Sequence, residues 1–137
     1  MTRLPPWHLI GAACVGGALG GWTRWALGEA VPDGSGFPWT TFAINVIGSV
    51  LLGLLPALPW ARRHTAAVFC GPGLLGGFTT LSATSEQGRA LLASGRGGLA
   101  AAYLLGTLVV AVLAVQLASR TSSSGERAEF VAEEGVE

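Results

Sequence analysis

The sequence contains no lysine. Its eight basic residues are all arginine, eight acids match them, and charged residues make up only 12% of the chain, against roughly 25% in ordinary soluble domains. A formal net charge of zero excludes a nucleic-acid binder that works through a basic surface. A disordered chain is excluded as well, since it would be poor in apolar residues and rich in charge. A soluble globule of 137 residues would need far more polar surface. Cysteine is also scarce. Cys14 and Cys70 make no metal site at this spacing, and each sits in an apolar run where it reads as a small buried hydrophobe. The two histidines, His8 and His64, fall near segment ends, and Ser82 and Ser85 have no buried base beside them. No acid–base pair or activated nucleophile is therefore offered for catalysis within a membrane. What remains is apolar: 50% hydrophobic residues, 21 glycines, five tryptophans and a mean hydropathy of +0.54. That composition describes an integral membrane protein.

The charge is unevenly placed. Residues 1–120 hold seven of the eight arginines and only Glu29, Asp33 and Glu86 among the acids, a balance of +4. The last 17 residues, from Thr121, carry one arginine and five acids, a balance of −4. The division expected is a membrane domain over 1–120 and a solvated, disordered acidic tail over 121–137.

A spanning helix needs about 20 mostly apolar residues. Four stretches qualify: Trp7 to Leu27, Phe37 to Trp60, Ala66 to Leu92 and Gly97 to Ala118. The first shows no clear small-residue cleavage site and reads as a span rather than a signal peptide. Trp7, Trp25, Trp39 and Trp60 fall near segment ends, as interfacial aromatics do. Short loops put both termini on one side. Arg3, Arg62, Arg63 and Arg120 then face Arg24, Arg89 and Arg96 across the bilayer, a weak positive-inside bias that specifies orientation poorly. A small multidrug transporter would need a membrane-buried acid in its first helix, and none precedes Glu29.

The third segment is interrupted. Val68 to Ser85 holds four glycines, Pro72 and five hydroxyl residues. Each glycine costs about 1 kcal/mol relative to alanine and proline about 3, and each backbone group left unpaired in hydrocarbon costs several more. A break survives only if it is buried in protein, lines water or coordinates an ion. Gly76-Gly77 followed by Thr79-Thr80 exposes carbonyls where hydroxyls cluster, which favours an ion; a kinked helix packed through small residues is the other reading. Asn45, central in the second segment, is either a pore-lining donor or an interhelical hydrogen-bond partner. Arg24 either snorkels to the interface or locks structure and attracts anions. Gly16, Gly17, Gly20 and Gly21 repeat glycine at four-residue spacing and permit close backbone approach. So small a four-helix chain has little room for an internal pore, and a path between subunits fits better.

Four stretches together resemble the small fluoride channels, the Fluc or CrcB family. Gly16-Gly17-Ala18-Leu19-Gly20-Gly21-Trp22-Thr23-Arg24-Trp25 is similar to its GGxxGAxxRY opening. Residues 37–49, FPWTTFAINVIGS, are similar to FPWGTLxVNxxGS, and residues 73–82, GLLGGFTTLS, to GFxGGFTTFS; Tyr103 fits the tyrosine of the fourth helix. The likeness spans residues 9–118 in order. It implies an all-α integral membrane fold of four transmembrane helices with the third broken, assembled as an antiparallel, dual-topology-like dimer with two narrow pores among membrane lipid. It also implies a structural sodium ion at the dimer centre, held by the main-chain carbonyls of Gly76 and Thr79. Asn45 would line the fluoride path, with Thr80, Ser82 and Tyr103 as further polar contacts and Arg24 as a structural charge. Fluoride is small and strongly hydrated, so a pore must replace water with close donors, and family pores add phenylalanine edges. Here the chain departs: the two phenylalanines of TTFSTF fall on Leu81 and Thr84, the threonine between them falls on Ala83, and Glu86 and Gln87 stand near the usual glutamate. Two assemblies follow, a homodimer with altered pore walls or one partner of an unlike pair with a degenerate pore. A structural membrane protein without transport is the reading outside the channel class.

Overall fold

The computed structural model describes residues 6–134; Arg3, counted above for orientation, lies outside them. Seven α-helices are described: α1 (Trp7–Ala30), α2 (Trp39–Leu54), α3 (His64–Val68), α4 (Gly76–Phe78), α5 (Leu81–Ala93), α6 (Gly97–Ala118) and α7 (Ser124–Glu134). No strand is present among the described residues. Three helical stretches are long and apolar enough to cross a membrane: Trp39–Ala57, His64–Ala93 and Gly97–Thr121. Helix α1 has 24 residues, about 36 Å of length at 1.5 Å per residue, but its glycines and Arg24 dilute its apolar character.

Local chemistry explains where the elements stop. Helix α1 ends at Ala30, just before Val31-Pro32, because a residue preceding proline disfavours helical backbone. Helix α2 begins beside Pro38, and Asp33 accepts hydrogen bonds from the amides of Thr40 (2.7 Å) and Thr41 (3.1 Å), which meets the orphan donors of a helix start. Helix α5 closes at Gly95, whose φ of +75° is a left-handed conformation that glycine adopts without penalty. The amide of Arg96 then returns to the Leu91 carbonyl at 2.9 Å.

Between α3 and α4 the chain widens into a π-helix over Phe69–Leu75, with Pro72 inside it. Proline lacks an amide and its ring crowds the carbonyl four residues back, so the wider turn relieves what an α-helix would not tolerate. After α4 the backbone extends: ψ of Thr79 is 159°, and Thr80 has φ −150° and ψ 116°.

Helix α1 packs chiefly on the π-helix and α4, while α2 and α5 pack on α6. Gly20 makes the first contact possible, since a Cβ there would lie 2.7 Å from the Phe78 amide nitrogen. One end of the molecule carries the 31–38 loop and the 94–96 turn, joined where Arg96 donates to the Ser35 carbonyl. There Leu91, Ala100 and Tyr103 form a core with Phe37, Phe42, Leu99 and Leu104. At the other end Leu55, Ala61, Ala67, Cys70, Leu75 and Phe130 form a second core. Apolar side chains cover much of the outer surface, including Leu105, Leu108, Val109, Val112 and Leu113 of α6 and all five tryptophans.

Two expectations differ from the structure. Of the acidic stretch expected to be a disordered tail, residues 135–137 lie outside the described residues, and Ser124–Glu134 forms α7. A reciprocal cap starts it, with the Glu126 amide on the Ser123 hydroxyl (3.2 Å) and the Ser123 amide on the Glu126 carboxylate (2.8 Å). Phe130, 3% exposed, inserts into the second core. Arg62 pairs with Glu129 at 2.9 Å and Glu126 at 3.7 Å, and His64 Nδ1 lies 2.9 Å from the Glu133 carboxylate. Cys14, read as buried, is exposed on α1, whereas Cys70 is buried: α1 turns its glycine side inward and Cys14 lies off that side.

Candidate functional site

Asn45 and Thr80 hold the extended backbone together. The Thr80 amide donates to Asn45 Oδ1 at 2.8 Å, and Asn45 Nδ2 donates back to the Thr80 carbonyl at 3.2 Å and to the Thr84 hydroxyl at 2.9 Å. Thr84 in turn donates to the Thr80 carbonyl at 2.8 Å. All three residues are buried. The side-chain amide of Asn45 thus replaces the backbone partner that Thr80 would have in a continuous helix. The Thr80 hydroxyl accepts from the Ala83 amide at 3.1 Å, capping α5, and lies 3.1 Å from the Ser82 hydroxyl.

These substitutions release two carbonyls. In an unbroken helix Thr80 N–H would reach Gly76 and Ala83 N–H would reach Thr79; here those amides go to Asn45 and to the Thr80 side chain. Arg24 Nε donates to the neighbouring Gly77 carbonyl at 3.3 Å, so α1 helps to pin the same turn. Gly76 and Thr79 border an open groove of about 600 Å³, lined also by Asn45, Thr80 and Thr84 and by Leu104, Leu105 and Leu108 of α6. Ser82 is exposed beside the hub, and Leu81 projects outward at 84% exposure.

Tyr103 lies elsewhere. It is fully buried in the core near the 31–38 loop, and its hydroxyl donates to Gln87 Oε1 at 2.6 Å. Gln87 Nε2 donates to Asp33 Oδ2 and to the Thr41 hydroxyl, both at 2.9 Å, and the Thr41 hydroxyl donates to Asp33 Oδ2 at 2.6 Å. Partial burial pushes the Asp33 carboxyl up, but the Thr41 hydroxyl, the Thr40 and Thr41 amides and Gln87 together bring it below the usual carboxylate value. Asp33, Thr41 and Gln87 are the residues that motif reading missed. Their signal was faint: a lone acid between Pro32 and Gly34, a few residues ahead of a helix start rich in hydroxyls. The structure therefore gathers Asn45, Thr80 and Ser82 around the extended turn, places Gly76, Thr79 and Arg24 beside them, and sets Tyr103 in an adjoining network that meets the hub at Thr84.

This arrangement of a glycine-lined α1, an asparagine-clamped turn and a π-helix coincides with a family match. The model described as CrcB-like protein, Camphor Resistance (CrcB), matches residues 11–119. The chain belongs to the CrcB family. Among curated relatives, a fluoride-specific ion channel FluC of Thermus thermophilus is 42% identical over 110 residues, covering 77% of this chain and 87% of the relative. One from Agrobacterium fabrum is 42% identical over 112 residues, covering 77% and 89%. A fluoride-specific ion channel FluC 1 of Mycobacterium tuberculosis is 39% identical over 116 residues, covering 80% and 86%. The matched span of this CrcB chain takes in every residue of the Asn45–Thr80 hub and of the Asp33 network and stops short of α7.

Proposed function

We propose that this multi-pass membrane protein is a fluoride channel subunit that lets toxic cytoplasmic fluoride leave the cell down its gradient, passing an ion and catalysing no reaction. The observation that carries the reading is the family match, with fluoride-specific channels 42% identical across 87% or more of their own length. Fluoride requires close donors in place of water, and hydroxyl and amide groups border the groove at Asn45, Ser49, Thr80 and Thr84. Apolar α6 faces and exposed tryptophans suit contact with membrane lipid.

The finer assembly is also a proposal. We take α1 as a fourth span, the extended Thr79–Thr80 turn as the functional break, and the subunit as half of an antiparallel dimer. The open groove supports a second copy or a similar subunit as its cover, because released backbone carbonyls do not face hydrocarbon bare. Gly76 and Thr79 fit a structural sodium ion: their carbonyls are hard oxygen donors freed by the side-chain bonds above, and unwound carbonyls suit Na⁺. Bound there, the ion would supply positive charge that ties two subunits together.

A specific observation favours the unlike-pair assembly. The Asn45 side-chain nitrogen donates within the chain, to the Thr80 carbonyl and the Thr84 hydroxyl, and Thr84 stands where family pores carry a ring. A partner subunit that retains the rings would then complete the working pore. The deciding test is fluoride efflux from liposomes, read with an electrode, for the protein alone and with a candidate partner. Efflux in either condition is expected; none in both overturns the channel reading.

A further inference from the structure

Asp33 is the sole aspartate of the chain, and it faces four donors: the amides of Thr40 and Thr41, the Thr41 hydroxyl and the Gln87 side-chain amide. A carboxylate only accepts hydrogen bonds, and this has a directional consequence. The nitrogen of Gln87 must turn toward Asp33, so its oxygen turns toward Tyr103, and the Tyr103 hydroxyl must give its proton to that oxygen. The Gln87 side-chain nitrogen donates to both Asp33 and Thr41, Thr41 spends its hydroxyl hydrogen on Asp33, and Tyr103 spends its own on Gln87. The network borders a cleft of about 160 Å³ lined by Asp33, Ser35, Gln87, Leu91 and Arg96. Arg96 brings a positive charge to that cleft, yet it donates to the Ser35 carbonyl and the Ser94 hydroxyl rather than to the carboxylate. An anion drawn in by Arg96 meets side-chain donors already committed to an internal anion.

We propose that Asp33 is a positioning residue that sets the direction of the Thr41–Gln87–Tyr103 hydrogen-bond chain, and so withholds this end of the subunit's polar track from a small hard anion such as fluoride. The proposal rests on the fluoride-channel reading for its ligand, but its test reads binding separately from conduction. Asp33→Asn retains an oxygen for the Thr40 amide while putting a donor where Oδ2 now accepts three hydrogen bonds. The Thr41 hydroxyl and Gln87 amide then lose their acceptor and become available.

Calorimetric titration of the detergent-purified protein with sodium fluoride, with sodium chloride as the control anion, should show D33N binding fluoride about tenfold more tightly, the size of one charge-assisted hydrogen bond released. Efflux through reconstituted protein should rise in parallel. Asp33→Glu, which restores the charge, should reverse both gains. Asp33→Ser, an uncharged helix-capping residue, reads the same way if D33N does not purify folded. Unchanged or weaker fluoride binding in the uncharged variants overturns the proposal. An equal gain in D33E also overturns it, since loosened packing rather than charge would then be the cause. If D33N gains binding while no variant conducts, alone or with a partner, the positioning role stands and the channel reading falls.

Discussion

Asn45 shows how one side chain sustains an irregular backbone. Its oxygen and nitrogen occupy the amide and carbonyl of the same residue, Thr80; removing it strands the buried Thr80 amide, while the carbonyl keeps the Thr84 hydroxyl. Asn45→Ala should lower the melting temperature of the detergent-solubilised protein by an amount corresponding to about 1–3 kcal/mol, the cost of the stranded Thr80 amide. Asn45→Asp should cut fluoride efflux, because it sets an anion against the Thr80 carbonyl and beside the proposed path; unchanged flux would remove Asn45 from that path. Asp33 predicts an acid limb. Its carboxyl titrates below the usual value when folded, so its contribution is present above the unfolded value near 3.9 and is lost as pH falls through the lower, folded one. Melting temperatures between pH 6 and 2 should fall at the acid end, and D33N should lack that component of the fall.

Among the helices, α7 and the π-helix departed furthest from the sequence reading. Composition alone made residues 121–137 look like solvated tail, since acids and hydroxyl residues together outnumber the apolar ones. Phe130 and the Ser123–Glu126 capping pair overrode that, because one aromatic placed in an existing pocket outweighs the surrounding polarity. Phe130→Ala should cost up to about 3 kcal/mol, and truncation after Thr121 should cost at least as much. Thermal melting checks both, and a free tail would register neither. Proline and clustered glycine near Pro72 leave few options for a regular α-helix, and the chain takes a π-helix there. The two extended residues that follow α4 were not legible, because hydrogen bonds to a residue 35 positions away in sequence hold them.

At the scale of the whole molecule, the outward-facing apolar side chains and the open groove suit the proposed cover by lipid and a second chain. If the carbonyls of Gly76 and Thr79 hold sodium where two subunits meet, exchanging sodium for a large organic cation should shift the purified protein from dimer toward monomer on size-exclusion chromatography with light scattering. A dimer indifferent to sodium would contradict that site.

Hydropathy, charge scarcity and glycine spacing were sufficient to read a helical membrane protein and its family from the residues alone, because the length of an apolar run and the demand for small residues at close contacts are local properties. Helix α6 lies over the very residues expected, Gly97–Ala118. Which donors face which acceptors was settled by folding. Asn45 meets Thr80 and Asp33 meets Gln87 only once α2 and α5 lie side by side, and a hydrogen bond depends on distance and direction in space rather than on separation along the chain.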